Sequence, residues 1–171
     1  MKTIKRANFY LPIAAMIVTA ALALPAAAQQ QVPFKGTFQG NDTVVPPTII
    51  TAATGVGTHV GQLSLTDVTT FTSGTGTGHW IAANGDTIDT TAVGSQEPVI
   101  MSRCQVVGAQ PEDSYDKITQ VYTITGGTGR FAGAQGSFTL TLYHDVVPRS
   151  DGTHGTCGSY SGTITPPGAA N

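Results

Sequence analysis

KITQVYTITGGTGRFAGAQGSFTLTLY, residues 117–143, decides how this chain folds. In residues 137–143, Phe138, Leu140 and Leu142 share one face while Ser137, Thr139 and Thr141 share the other. That period of two marks a half-buried strand. In residues 117–125, Ile118, Tyr122 and Ile124 lie on one face and Val121 lies among threonines on the other. The two segments are expected to pair across the loop between them.

The loop, GGTGRFAGAQG at 126–136, has five glycines in eleven positions and raises the question of a phosphate site. A dinucleotide fingerprint needs Gly-x-Gly-x-x-Gly between a strand and a helix. Here the spacing after Gly127-Thr128-Gly129 runs one residue too far, to Gly133, and a strand follows. A P-loop needs Gly-Lys-Ser/Thr, which is absent from the sequence. The structural reading gives the residues other roles. Gly126, Gly127, Gly129, Gly133 and Gly136 supply positive φ and close backbone approach, and Phe131 is placed to plug the end of a barrel. Arg130 reads as a surface ion pair or a cap on carbonyls, with ligand contact as the alternative.

Outward from this stretch the chain is crowded with Thr and Gly, and no window of helical length shows a 3.6-residue apolar period free of Gly or Pro. Thr suits a pleated surface and Gly punctuates turns, so the fold is expected to be all-β. Further strands are predicted over 34–40, 60–66, 99–107 and 160–164. Another pair, 79–83 and 86–93, flanks Asn84-Gly85, a dipeptide suited to a two-residue hairpin. Phe34-Lys35-Gly36-Thr37-Phe38 and Tyr160-Ser161-Gly162-Thr163-Ile164 share the pattern aromatic-x-Gly-Thr-apolar. Pairing of these first and last strands would close the sheet and remove its edges. The seven or eight strands fit a sandwich or barrel, with 45–47 and 110–113 as Pro-bearing loops.

The N-terminus carries Lys2, Lys5 and Arg6, an apolar run from Phe9 to Leu24, then Pro25 and Ala26-Ala27-Ala28. This is the pattern of a secretory signal peptide over 1–28, cleaved after Ala28. A membrane anchor is disfavoured, because Pro12 interrupts a run shorter than the roughly 20 residues that span a bilayer. The expected organisation is one β-barrel domain over 29–165 and a flexible tail over 166–171. Without the leader, 5 basic residues face 10 acidic ones, which leaves no electrostatic footprint for nucleic acid. A membrane-spanning barrel would need an apolar band with aromatic girdles, whereas the alternate faces here are Thr and Ser. Cys104 and Cys157, in an oxidising secreted or periplasmic compartment, are expected to form a structural disulfide rather than a reactive thiol pair.

The run ITGGTGRFAGAQGSF, residues 124–138, resembles the Gly-Gly-Thr-Gly-Lys/Arg-Phe signature of the allene oxide cyclase-like barrel family, which includes the dirigent proteins. Weaker likeness lies in Phe34-Lys35-Gly36-Thr37-Phe38, in Gly76-Thr77-Gly78-His79-Trp80 and in Gly162-Thr163-Ile164. The resemblance implies a small antiparallel eight-stranded barrel of calycin type with a lumen, trimeric in many plant members. It carries no activity across, since the family's pocket residues have no counterpart motif at numbered positions here.

Candidate chemistry is sparse. His59, His79, His144 and His154 show no i, i+2 or i, i+4 spacing, so no metal site is expected. No cofactor is implied, and no G-x-S-x-G elbow signals a Ser nucleophile. Asp89 is embedded in a strand and, with Arg103, is a candidate polar pair inside the barrel; a structural salt bridge or outward-facing side chains are the alternatives. Trp80 and Tyr122 are candidate lumen contacts for an apolar guest, or simply core. Three readings stand. The favoured one is a secreted binding or scaffold barrel with a small apolar molecule in its lumen. The others are a cyclase- or dirigent-like enzyme acting by confinement, and an envelope interaction module.

Overall fold

The computed structural model describes residues 30–100 and 114–168. The expected leader, Arg103, Cys104 and the 110–113 loop lie outside them. The described residues form eight strands: β1 (Val32–Val45), β2 (Thr48–Gly57), β3 (Gly61–Thr70), β4 (Thr75–Ala82), β5 (Thr87–Ile100), β6 (Ser114–Gly127), β7 (Gly136–Asp145) and β8 (His154–Ile164). Each pairs antiparallel with the next, and β1 closes onto β8, giving a barrel in the order β1 to β8. The two look-alike segments are indeed partners, with Phe34 opposite Gly162 and Gly36 opposite Tyr160. The pair read around the glycine-rich loop is also present, with Tyr122 opposite Phe138.

Two strand assignments need correction. The segment 48–57 is a strand that side-chain alternation does not reveal, and residues 99 and 100 of the expected strand over 99–107 belong to the end of β5, while 101–107 lie outside the described residues. The Asn84-Gly85 hairpin exists but its loop has three residues. Ala82 N–H bonds Asp86 C=O at 2.8 Å and Gly85, at φ 87°, sits in the left-handed position. That is a type I turn closed by a glycine, so Asn84 needs no positive φ. The first residues of the expected tail are docked, since Gly168 N–H donates to Arg130 C=O at 2.7 Å.

Alternation along every strand sends one set of side chains inward, and a barrel of eight strands leaves just enough space for them. Large rings and glycines share that space. Phe34, Trp80, Phe138 and Tyr160 pack ring on ring, with centroids 4.9 to 6.3 Å apart. A Cβ on Gly158 would lie 2.5 Å from Phe38, and one on Gly162 would lie 2.6 Å from the Phe138 Cβ. Glycine within these strands thus makes room for an aromatic neighbour, at the cost of strand propensity.

The strands alternate in direction, so the connections at 58–60, 83–86 and 128–135 gather at one end and those at 46–47, 71–74 and 146–153 at the other. The first end is closed by the glycine-rich loop. Gly129–Phe131 form one 3-10 turn that drives Phe131 fully into the core. Arg130 pairs outward with Asp86 at 2.8 Å and its guanidinium carbon lies 5.5 Å from the Phe131 ring centroid. The hydrogen bonds from Arg130 and Asn84 hold Asp86 below the usual carboxylate range. Thr128 binds Thr87 through N–H to C=O at 3.0 Å and through its hydroxyl, which accepts from the Thr87 N–H at 3.1 Å. The loop is a lid on the barrel, tied to the β4–β5 hairpin.

Candidate functional site

The opposite half of the interior sets polar side chains among the apolar Ile49, Ile118 and Leu142. Asp42 on β1, Thr51 on β2 and Asp67 on β3 are successive partners across the sheet, so all three face the lumen at one level. Asp42 is fully buried, and its Oδ2 lies 2.6 Å from Nδ1 of His144 on β7. The His144 ring stacks on His154 of β8, with centroids 4.7 Å apart, and His154 Nδ1 is 2.8 Å from the Asp145 carbonyl oxygen. Asp67 Oδ2 is hydrogen-bonded to the Tyr122 hydroxyl. Tyr122 Oη is also 3.1 Å from Gln120 Oε1, and Gln120 Nε2 donates to Thr69 Oγ1 at 3.2 Å. Burying charge without compensation is costly, so such a chain has to be hydrogen-bonded to persist. Burial pushes the Asp67 carboxyl up to about 7; the Val68 backbone hydrogen bond opposes the shift and the Asp42 carboxylate adds to it. Asp42 Oδ1 and Asp67 Oδ1 are buried with no hydrogen-bond partner among the described residues.

Beside this chain, at the mouth of the barrel, lies a cavity of about 240 Å³ lined by Ile49, Thr69, Phe71, Gln96, Ile118 and Gln120. The β3–β4 turn walls one side, where Gly74 C=O accepts from Gly94 N–H at 2.8 Å. Gly94 also opens the path of a side chain. A Cβ there would lie 2.5 Å from Gln120 Cγ, so the glycine lets the Gln120 side chain cross the lumen. A larger concavity of about 680 Å³ lies along β1 to β4, where Thr37, Gln39, Thr54, Gln62 and Ser64 line it. These residues belong to the outer wall, whereas the mouth cavity reaches the inward side chains Thr69 and Gln120 of the buried polar chain, so the mouth cavity is the better site.

Of the residues singled out in the sequence, Trp80 and Tyr122 are fully buried inside the barrel. Trp80 belongs to the packed aromatic half, whereas Tyr122 reaches the polar chain. Asp89 is not a lumen residue. It faces outward and meets His79, its partner on β4, at 2.7 Å, with half of each side chain exposed. Alternation explains the correction, because Ile88, Thr90 and Ala92 take the inward positions of β5. Arg103, its intended partner, lies outside the described residues. Cys157 is on β8 opposite Tyr143, and Cys104 also lies outside the described residues. No group of three or more His, Cys, Asp or Glu among the described residues is arranged to hold a metal ion.

Asp42, Asp67, Gln120 and Thr69 were missed, and the signal for them was present. Phe34 and Phe38 step by four to Asp42, and Leu63 and Leu65 step by two to Asp67. The predicted strands stopped at 40 and 66, each just short of its aspartate, because Asp ordinarily reads as a turn residue. Comparison of the chain with protein-family models, curated proteins and solved structures found no match.

Proposed function

We propose that this protein is an exported β-barrel that binds a small molecule at the mouth of its lumen. The observation that carries this reading is the division of the interior: an aromatic half sealed by Phe131, and a half where a buried hydrogen-bonded chain adjoins an open cavity of about 240 Å³. A barrel selected only for stability gains by filling that half with hydrocarbon, since buried polar networks rarely improve stability over packed apolar residues. Ligand sites, in contrast, are concave and mostly apolar with a few convergent polar groups. The cavity is smaller than the roughly 300 Å³ at which drug-sized sites begin, so the guest is a small compound rather than a long-chain lipid. This size disfavours a fatty-acid epoxide as substrate while leaving the allene oxide cyclase-like kinship of the scaffold as part of the proposal.

The leader and the Cys104–Cys157 bridge belong to the same reading, since export places both thiols in an oxidising compartment. The test is native mass spectrometry of the protein purified gently from its own secretory compartment, followed by organic extraction. A discrete molecule released on unfolding supports the binding role. An empty protein whose melting temperature no small-compound set raises overturns it. The same spectrum reports whether the barrel is a trimer, as the family resemblance implies.

A further inference from the structure

Hydrogen counting in the buried chain sets what the cavity presents to a guest. Tyr122 Oη touches two oxygens, Asp67 Oδ2 and Gln120 Oε1, and brings one hydrogen. If Asp67 were ionised, both oxygens would be pure acceptors competing for that hydrogen. Tyr122 and Gln120 are essentially fully buried and Asp67 is 7 % exposed, and among the described residues no other donor reaches Tyr122 Oη or Gln120 Oε1. A neutral Asp67 resolves the count. Its O–H donates to Tyr122 Oη, Tyr122 donates to Gln120 Oε1, and Gln120 Nε2 donates one hydrogen to Thr69. The chain then has a direction, and it ends with the oxygen of Gln120 consumed and one Nε2–H left over beside the cavity.

Other charged groups are consistent with that state. Asp42 of β1 is the carboxylate whose charge bears on Asp67, with His144 of β7 bound to Asp42 and the His154 ring of β8 stacked on His144. At the level of Asp67, β2, β4 and β5 present Thr51, Gly78 and Thr90, none of which carries charge. Among the described residues the cavity lining has no Lys or Arg to receive an anion, and its Gln96 donates through Nε2 to Asp116 Oδ2 at 2.6 Å. Among the described residues its lining also has no carboxylate to receive a cation.

Resting on the binding role above, we propose that the mouth cavity takes a small uncharged molecule with a carbonyl-type hydrogen-bond acceptor. The acceptor meets the free Gln120 amide N–H and the Thr69 hydroxyl, and the hydrocarbon part lies against Ile49, Ile118 and Phe71. Asp67 and Tyr122 are positioning residues, because they orient the Gln120 amide without touching the guest.

Cyclopentanone and cyclopentane form a matched pair of probes, alike in ring size and different in the acceptor. Both are titrated into the full exported protein, labelled for NMR of the Gln120 side-chain amide and the Ile49 and Ile118 methyls. The ketone is expected to shift the Gln120 amide and to bind roughly three- to tenfold more tightly than the hydrocarbon, the worth of one hydrogen bond. Raising the pH from about 5 to about 9, across the ionisation of Asp67, is expected to erase that preference. In Asp67→Asn, whose amide still donates to Tyr122, the preference is expected to persist at both pH values. Equal binding of the two probes, with methyls shifting and the Gln120 amide still, overturns the carbonyl inference and leaves the binding role standing. Methyls and amide unmoved by either probe overturn both. If Asp67→Asn does not fold, the probe comparison on the unsubstituted protein decides the matter alone.

Discussion

Tyr160 reaches from β8 across two neighbouring strands, and its hydroxyl sits where two side chains are missing. A Cβ on Gly57 would lie 1.8 Å from that oxygen and one on Gly36 would lie 2.6 Å from it. The hydroxyl is buried and has no hydrogen-bond partner among the described residues, so it contributes bulk without bonding. Gly57→Ala is therefore expected to lower stability by about 1–3 kcal/mol through overpacking. Tyr160→Phe is expected to be close to neutral and to recover much of that loss when combined with Gly57→Ala. Urea denaturation of the four proteins in the cycle measures the coupling. A double variant no more stable than Gly57→Ala would show that the hydroxyl is not the obstacle.

Within the glycine-rich element, the five glycines are not equivalent. Gly129 has φ 56°, and a Cβ on it would lie 1.8 Å from Asp86 Oδ1, whereas one on Gly126 would meet nothing within 4 Å. Gly129→Ala is expected to cost about 1–3 kcal/mol by strain at a left-handed position, and Gly126→Ala to stay within about 0.5 kcal/mol of the parent. Thermal melts of the two variants separate these outcomes, and equal melting temperatures would mean that the loop is looser than its contacts imply. This loop was legible because its failure as a phosphate motif and its position between two alternating strands agree. The strand β2 was not legible, for a reason in its composition. In TIITAATGVG the inward Ile49, Thr51 and Ala53 differ little in polarity from the outward Ile50, Ala52 and Thr54, so alternation carries no contrast. It becomes a strand because β1 and β3 supply ladders on both sides.

For the whole molecule, the buried carboxyl makes stability depend on pH in an unusual direction. Asp67 holds its proton up to about pH 7 in the native barrel, while its ordinary value is 3.8. Between these values the native state carries a proton that the unfolded chain has released, so this contribution is fully present below about pH 4 and is lost as pH rises toward 7. The full shift corresponds to about 4 kcal/mol as an upper figure. Urea midpoints of the parent are expected to fall over that interval relative to Asp67→Asn, whose residue 67 does not titrate. A difference that does not change with pH would mean that Asp67 is ionised throughout. The proposed Cys104–Cys157 bridge closes 53 positions of chain and is expected to contribute about 4 kcal/mol through the unfolded state. Intact mass after alkylation, with and without reductant, tests it, and two thiols alkylated in the unreduced native protein would refute it.

Local pattern by itself determined that this chain is all-β, that residues 117–143 form a hairpin around a structural loop, and that its first and last strands are alike enough to pair. Each of these depends on side-chain period and turn chemistry, which are properties of neighbouring residues. Only the closed barrel decided that Asp89 faces out, that Asp42 and Asp67 face in, and that Gln120 stands between Tyr122 and an open cavity. A strand's inner face becomes an interior only when seven others complete the wall. The partners that make a buried aspartate tolerable come from strands up to 102 positions away, as His144 does for Asp42.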